Sequence, residues 1–168
     1  MRGGDKMNYT EWEASVPAEI REDALWKMKA YRLGLFAAAI GWHDVTKLAG
    51  DTRTVALSDQ LNRALGSISA NIAEGYGRGT GKDRALFYSY ALGSARESRD
   101  WYYKAQPILG ETVVTHRIGV LTEVIRLLIT MTTRQRQGAL HEPGVAYSIK
   151  AEEQNHALTC LLHDVPLP

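Results

Sequence analysis

Apolar positions recur along four stretches of the chain in steps of three and four, with no strand-like alternation. The first stretch gives Trp26, Ala30, Leu33, Ala37, Ile40, with a parallel row Leu25, Met28, Arg32, Leu35, Ala39, Trp42. The second gives Leu57, Leu61, Leu65, Ile68, Ile72, beside a small or polar row Ala64, Ser67, Asn71, Glu74. The third reads Phe87, Ala91, Ser94, Ser98, Trp101, Ala105, Ile108. The fourth reads Val114, Ile118, Leu121, Ile125, Leu128, with a second row Val120, Val124, Leu127, Met131. Breaks fall at Gly50-Asp51-Thr52, at the glycines of 75–81, at Pro107 with Gly110, and at Gly138 with Pro143-Gly144. Four long amphipathic helices with short connections predict an all-α chain, most economically an antiparallel up-down-up-down four-helix bundle.

Small residues on the second and third helices (Ala64, Ser67, Ala91, Ser94, Ser98) would let their backbones approach closely. The first and fourth helices carry apolar rows on two faces, and the second face needs a cover: a tail, another protomer or a partner. Residues 1–18 lack periodicity and read as a flexible arm, 19–137 as the bundle, and 138–168 as an acidic tail. Within the tail a short helix over 145–163 would use Val145, Ile149, Leu158, Leu161 and Leu162.

The chain's 168 residues fit one domain with a sizeable core, and its single cysteine, Cys160, expected as a buried inert thiol, excludes an intrachain disulfide. The longest near-apolar run, Leu33 to Trp42, is too short to span a membrane, and no signal-like segment opens the chain; a cytoplasmic protein is expected. The formal net charge of +1 hides an uneven distribution. Residues 53–136 carry 12 basic and 7 acidic side chains, whereas 1–52 and 137–168 are net −1 and −3.

Patterns for catalysis or cofactor binding fail on inspection. A phosphate loop would need glycine where Tyr76 stands and Ser or Thr where Asp83 stands, and a dinucleotide fingerprint would need glycine at Thr80. The one Glu-x-x-His, Glu153 to His156, lies in the tail, and His43 and His116 have no suitably spaced ligands beyond Asp44. Glu74 and Glu97 could form a carboxylate pair, but no converging polar groups accompany them. No catalytic residue, metal or cofactor is therefore expected.

The basic residues offer a different chemistry. Arg53, Arg63, Arg78, Lys82 and Arg84 group around the second helix and the turn after it. Arg96, Arg99 and Lys104 follow with Trp101, Tyr102 and Tyr103 interleaved, and Arg134 and Arg136 end the fourth helix. Cations placed for phosphates, with aromatics that stack on bases, suit RNA. The alternative is a solvated face with intrahelical pairs such as Arg96–Asp100.

The run Ser67-Ile68-Ser69-Ala70-Asn71-Ile72-Ala73-Glu74-Gly75-Tyr76-Gly77-Arg78, followed by Asp83, Phe87 and Ala91-Leu92-Gly93-Ser94-Ala95-Arg96-Glu97, is the most distinctive part of the chain. It resembles a bacterial four-helix-bundle family first noticed as reading frames in intervening sequences of 23S ribosomal RNA genes. That family's pattern is Ser-Ile-x-x-Asn-Ile-Ala-Glu-Gly-x-Gly-Arg, then Gly-Ser-x-x-Glu. The resemblance covers residues 24–136 and implies a homopentameric bundle. A related branch is the accessory variability protein of diversity-generating retroelements, a basic pentamer that binds a reverse transcriptase and nucleic acid. The chain departs from the pattern at Leu48-Ala49-Gly50-Asp51-Thr52, where the family often has Phe-Pro and a later Glu, and in its terminal extensions.

Physically, Gly75 and Gly77 can supply tight-turn backbone angles at the end of the second helix. Glu74 is expected to accept from amides opening the third helix, with Asn71, Ser94 and Glu97 joining a buried polar network. The combined expectation is a non-catalytic homo-oligomeric scaffold that binds RNA or nucleoprotein beside a reverse transcriptase. The alternative is a structural or protein-interaction oligomer of the ribosomal-intervening type, without direct nucleic-acid contact.

Overall fold

The computed structural model describes residues 8–137 and 148–168. No strand occurs among them. The elements are α1 (Tyr9–Ser15), α2 (Ala18–Arg21), a 3-10 turn (Ala24–Lys27), α3 (Lys29–Ala49), α4 (Val55–Tyr76), α5 (Gly81–Lys104), α6 (Gln106–Leu109), α7 (Glu111–Gln137) and α8 (Ser148–His163). The break expected at Gly138 and Pro143-Gly144, and Val145, lie outside the described residues, as do the side chains of Ile149 and Glu153.

The four periodic stretches become α3, α4, α5 and α7. Helix α3 packs on α4, α4 on α5, α5 on α7 and α7 back on α3. Leu33, Ile40, Leu61, Ile68, Ile72, Ala91, Leu121, Val124 and Leu128 are all essentially inaccessible. Burying each of the larger ones is worth about 1.5–3 kcal/mol. The small residues Ala64, Ala91 and Ser98 are buried as expected, and glycines in α3 let it approach α4 closely. A Cβ on Gly34 would lie 3.0 Å from Ile68 Cγ2, and one on Gly41 would collide with Leu65.

The connections follow from local chemistry. Between α3 and α4, Thr54 Oγ1 donates to Leu48 O at 2.6 Å and Arg53 N donates to Asp51 Oδ1 at 2.9 Å. Helix α5 opens with Thr80 as its cap: Asp83 N donates to Thr80 Oγ1 at 3.1 Å, and that hydroxyl donates to the Asp83 carboxylate at 2.7 Å. Gly110, with φ 84°, turns the chain from α6 into α7, an angle that favours glycine. Gly77 is in the ordinary right-handed region at φ −71°, so of the left-handed and tight-turn angles open to it the left-handed one is not used.

Three other expectations change. The aperiodic stretch read as an arm is helical over α1, and Tyr9 and Trp12 both lie 5.1 Å from the Phe36 ring between centroids. Trp26 belongs to the 3-10 turn before α3, because Met28 is extended. Cys160 is exposed on α8 and is not a buried thiol. Of the second rows, Val120 and Val124 of α7 are buried in the bundle core itself, and a further face of α3 and α7 is covered by the chain's own terminal segments. Phe36 and Ile40 of α3 cluster with Val165, beside Tyr9, Trp12 and Leu162, and a Cβ on Gly119 of α7 would lie 2.9 Å from Leu161 Cδ1. Trp42, the last member of the parallel row on α3, stays 66% exposed.

Candidate nucleic-acid interface and a buried charge cluster

The end of α4, the start of α5 and the end of α7 meet at one pole of the molecule. A Cβ on Gly81 would lie 3.0 Å from Gln135 O, and Met28, Tyr76, Arg84, Tyr88 and Gln135 line an open cavity of about 450 Å³ there. Arg78, Lys82 and Arg84 therefore share this pole with Arg134 and Arg136; all but the partly buried Arg84 are exposed. Arg78 pairs with Glu74 one turn back and its guanidinium lies 4.5 Å from the Phe87 ring centroid. Arg84 Nε donates to Arg78 O at 2.8 Å, which ties the second arginine to the turn that carries the first. Burial pushes the Tyr88 hydroxyl above its ordinary value, so it stays a neutral donor beside these cations.

The remaining expected contacts lie elsewhere. Arg53 sits at the opposite pole, in the α3–α4 connection, with Asp51 bonded at 2.9 Å through Nε and 2.5 Å through Nη2. Those bonds hold the Asp51 carboxyl down at about 2. Lys104 is also at that pole, 2.5 Å from Asp100 and 4.4 Å from the Trp101 ring centroid. From Lys82 to Lys104 the helix spans roughly 33 Å. Arg63 pairs with Asp59 at 3.1 Å, Arg96 is exposed mid-helix, and Arg99 reaches Thr122 Oγ1 at a long 3.4 Å. The eight cations thus form one compact group of three, joined by the end of α7, and five dispersed members. Asp100 takes Lys104, not Arg96 as the spacing suggested.

The family-like motif is arranged differently from its expected network. Glu74 is exposed and bound to Arg78; the amide it was expected to receive is satisfied by Thr80. Asn71 Nδ2 donates to Ser67 O at 2.8 Å within its own helix. Glu97 is exposed and accepts from Trp101 Nε1 at 3.2 Å, and Ser94 offers its carbonyl to Ser98 Oγ at 2.9 Å. Gly75 is the motif position set by packing: a Cβ there would lie 2.8 Å from Tyr88 Cε1.

The buried polar network is at the opposite pole, on residues outside the motif. Arg117 of α7 and Asp44 of α3 are 1% and 0% exposed. Arg117 Nε donates to Asp44 Oδ2 at 2.8 Å and Nη2 to Oδ1 at 3.1 Å, a two-pronged pair. Tyr102 Oη donates to the same carboxylate at 2.7 Å, so this aromatic, expected to stack on bases, is locked in the core. Burial raises the Tyr102 hydroxyl well above its usual range. Nη2 also donates to Pro166 O at 2.9 Å. His116 bridges 2.8 Å to Arg117 Nη1 and 2.6 Å to Leu161 O. A guanidinium only donates and a carbonyl only accepts, so the imidazole is neutral with its proton on Nε2. Burial lowers the His116 pKa, opposed by the bond to Leu161.

A sequence signal for this cluster existed. Arg117 interrupts the apolar row Val113, Val120, Val124, and Asp44 interrupts Ala37, Gly41, Leu48. Two opposite charges, each the lone charge in a core stripe, point to a buried pair. The donor atoms of Tyr102, Arg117 and His116 all have protein partners, as a buried ion pair requires. Among the described residues no group of three His, Cys, Asp or Glu side chains is placed to hold a metal ion. No helix of the described chain is long and apolar enough to cross a membrane.

A family model described as 23S rRNA-intervening sequence protein matches residues 28–129, more than half of the chain. No curated protein and no solved structure matches.

Proposed function

The chain belongs to the 23S rRNA-intervening sequence protein family, and from that premise we propose a non-catalytic, homo-oligomeric bundle that binds RNA backbone through its Arg78–Lys82–Arg84 pole. The observation that carries this reading is the convergence of those three cations with Arg134 and Arg136 where three helix ends meet. Phosphates are recognised by such a group without a base-specific pocket. Symmetric copies of the chain would repeat the patch around an axis and strengthen its field. The helices themselves support an up-down-up-down bundle. Rising residues of α3 (Gly34, Gly41) face falling residues of α4 (Ile68, Leu65), and the four long helices contact in a closed cycle. A pentamer, and work beside a reverse transcriptase in the cytoplasm, are what the family resemblance adds to this proposal.

The test is a salt titration of fluorescent single-stranded RNA binding. The native chain binds with a steep negative dependence on salt, and an Arg78→Gln/Lys82→Gln/Arg84→Gln variant loses about two to three units of the log–log slope. An unchanged slope, with the variant folded, rejects the pole as the contact. A second reading, an oligomer with no direct nucleic-acid contact, draws on the carboxylate partners of Arg53, Arg63, Arg78 and Lys104. Absence of binding at low salt from a stable oligomer selects it.

A further inference from the structure

The cavity at the Arg78 pole contains a hydroxyl to which the fold gives no partner. Tyr88 is 3% exposed, and its ring packs under Gly75, where a Cβ would lie 2.8 Å from Cε1 and 3.0 Å from Cδ1. The ring belongs to the core, yet Tyr88 lines the cavity of about 450 Å³ together with Met28, Tyr76, Arg84 and Gln135. Among the described residues nothing is hydrogen-bonded to its hydroxyl. Buried polar groups are nearly always bonded, and the cavity is where this phenol can make its bond.

The groups around that hydroxyl share one chemistry. Burial raises its pKa, the Arg84 charge opposes the shift and Tyr76 adds to it, so both neighbours act on it. Arg84 Nε donates to Arg78 O at 2.8 Å, which orients the guanidinium and leaves its two Nη groups for a ligand. Tyr76 and Gln135 add a second hydroxyl and an amide, Met28 supplies an apolar wall, and no carboxylate is among the lining residues. A forked cation with neutral donors on further sides suits a tetrahedral oxyanion better than a planar one. A phosphate monoester offers three acceptor oxygens and carries nearly two charges at neutral pH. A phosphodiester inside a strand offers less of both. The volume falls within the range of about 300–1,000 Å³ typical of small-ligand sites, more than a passing backbone contact needs.

We propose that this cavity is a phosphate-monoester site, and that it seats the terminal phosphate of an RNA strand. Arg84 and the Tyr76 and Tyr88 hydroxyls hold that phosphate, while the exposed Arg78, Lys82, Arg134 and Arg136 follow the internal phosphates beside it. The choice of an RNA strand rests on the RNA reading above; the monoester site stands on Tyr88 and Arg84. Gly75 gains a role in recognition, because an added methyl there would displace the Tyr88 ring and its hydroxyl with it.

The test compares short single-stranded RNAs that differ only in a terminal phosphate or hydroxyl, at the 5′ end in one pair and the 3′ end in another. Each carries a fluorophore on the other end, and anisotropy is read against the full chain at fixed salt. A strand with a phosphate at one of its ends binds roughly tenfold more tightly than its hydroxyl-ended counterpart. Tyr88→Phe keeps the ring under Gly75 and the charge of the pole, and cuts that ratio to about threefold or less. If Tyr88→Phe fails to fold by circular dichroism, Tyr76→Phe takes its place. Equal binding of phosphate- and hydroxyl-ended strands overturns the site and leaves the RNA reading in force. A preference that survives in the folded variant reports only the added charge, and also overturns it. If no strand binds, the RNA reading fails, and uridine monophosphate is titrated by calorimetry instead. Binding that Tyr88→Phe weakens then upholds the monoester site, and absence of binding overturns it.

Discussion

Replacing Asp44 by alanine strands a buried guanidinium. In the native chain Arg117 is 1% exposed and receives two oxygens of Asp44, at 2.8 and 3.1 Å. Without the carboxylate it keeps only neutral partners, His116 and Pro166 O, while the Tyr102 hydroxyl loses its acceptor as well. Removing one member of such a pair costs about 3–5 kcal/mol, because the survivor's charge stays out of water uncompensated. For a domain of this size that corresponds to a fall in Tm of roughly 6–20 °C. The double variant Asp44→Leu/Arg117→Met removes both charges and is less destabilised than Asp44→Ala alone. It still leaves the Tyr102 hydroxyl, His116 Nδ1 and the Pro166 carbonyl without the partners they have in the native chain, which offsets part of the gain. Urea unfolding followed by helical circular dichroism measures all three proteins. Asp44→Ala losing less than about 1 kcal/mol, or a double variant as damaged as Asp44→Ala alone, would refute an electrostatic origin for this pole's rigidity.

Other outcomes follow from local geometry. His116 must be neutral to accept from Arg117, and its folded pKa is depressed below the ordinary 6.5. Its contribution is therefore complete above 6.5 and is lost as pH falls from there through the lower folded value; His116→Gln flattens that part of the stability profile. Gly66 has no neighbour within 4 Å of a built Cβ, so Gly66→Ala stabilises α4 by about 1 kcal/mol in thermal melts. Gly75→Ala in the same helix meets Tyr88 at 2.8 Å and destabilises by about 1–3 kcal/mol before that gain is counted. Equal effects at the two glycines would contradict the packing.

The four long helices were legible because each carries a continuous apolar stripe, and a stripe is a property of spacing alone. Leu61, Leu65, Ile68 and Ile72 fell on the core side of α4 as their spacing required. The polar sites were less legible, because a polar side chain has several partners within reach and the sequence does not rank them. Glu74 found Arg78 four residues ahead, a local partner, before any amide of α5. Asp100 had cations four residues on either side and took the later one, Lys104. Arg53 and Arg78 are neighbours on a charge map of the second helix yet stand at opposite ends of it. The arm was misread because α1 is too short to show a period, although Tyr9 and Trp12 on one face of it were enough to dock it on Phe36. The interruptions at Asp44 and Arg117 carried the most information, since an unpaired charge cannot remain in a core.

The placement of that pair makes the molecule unequal from end to end. At the Asp44 pole, three helices are stitched by bonds that cannot be loosened one at a time without exposing a charge to an apolar interior. At the Arg78 pole, the polar ties are a capped turn, a surface ion pair and the Arg84 bond to Arg78 O, none of which buries a charge as the Asp44 pair does. Amide exchange should therefore run as a gradient along α7, slow around His116 and fast toward Arg136, with no step between. The same chain thus holds a stiff base and a compliant tip, and the cations sit on the tip, where they can adjust to an uneven polyanion while the base keeps its shape.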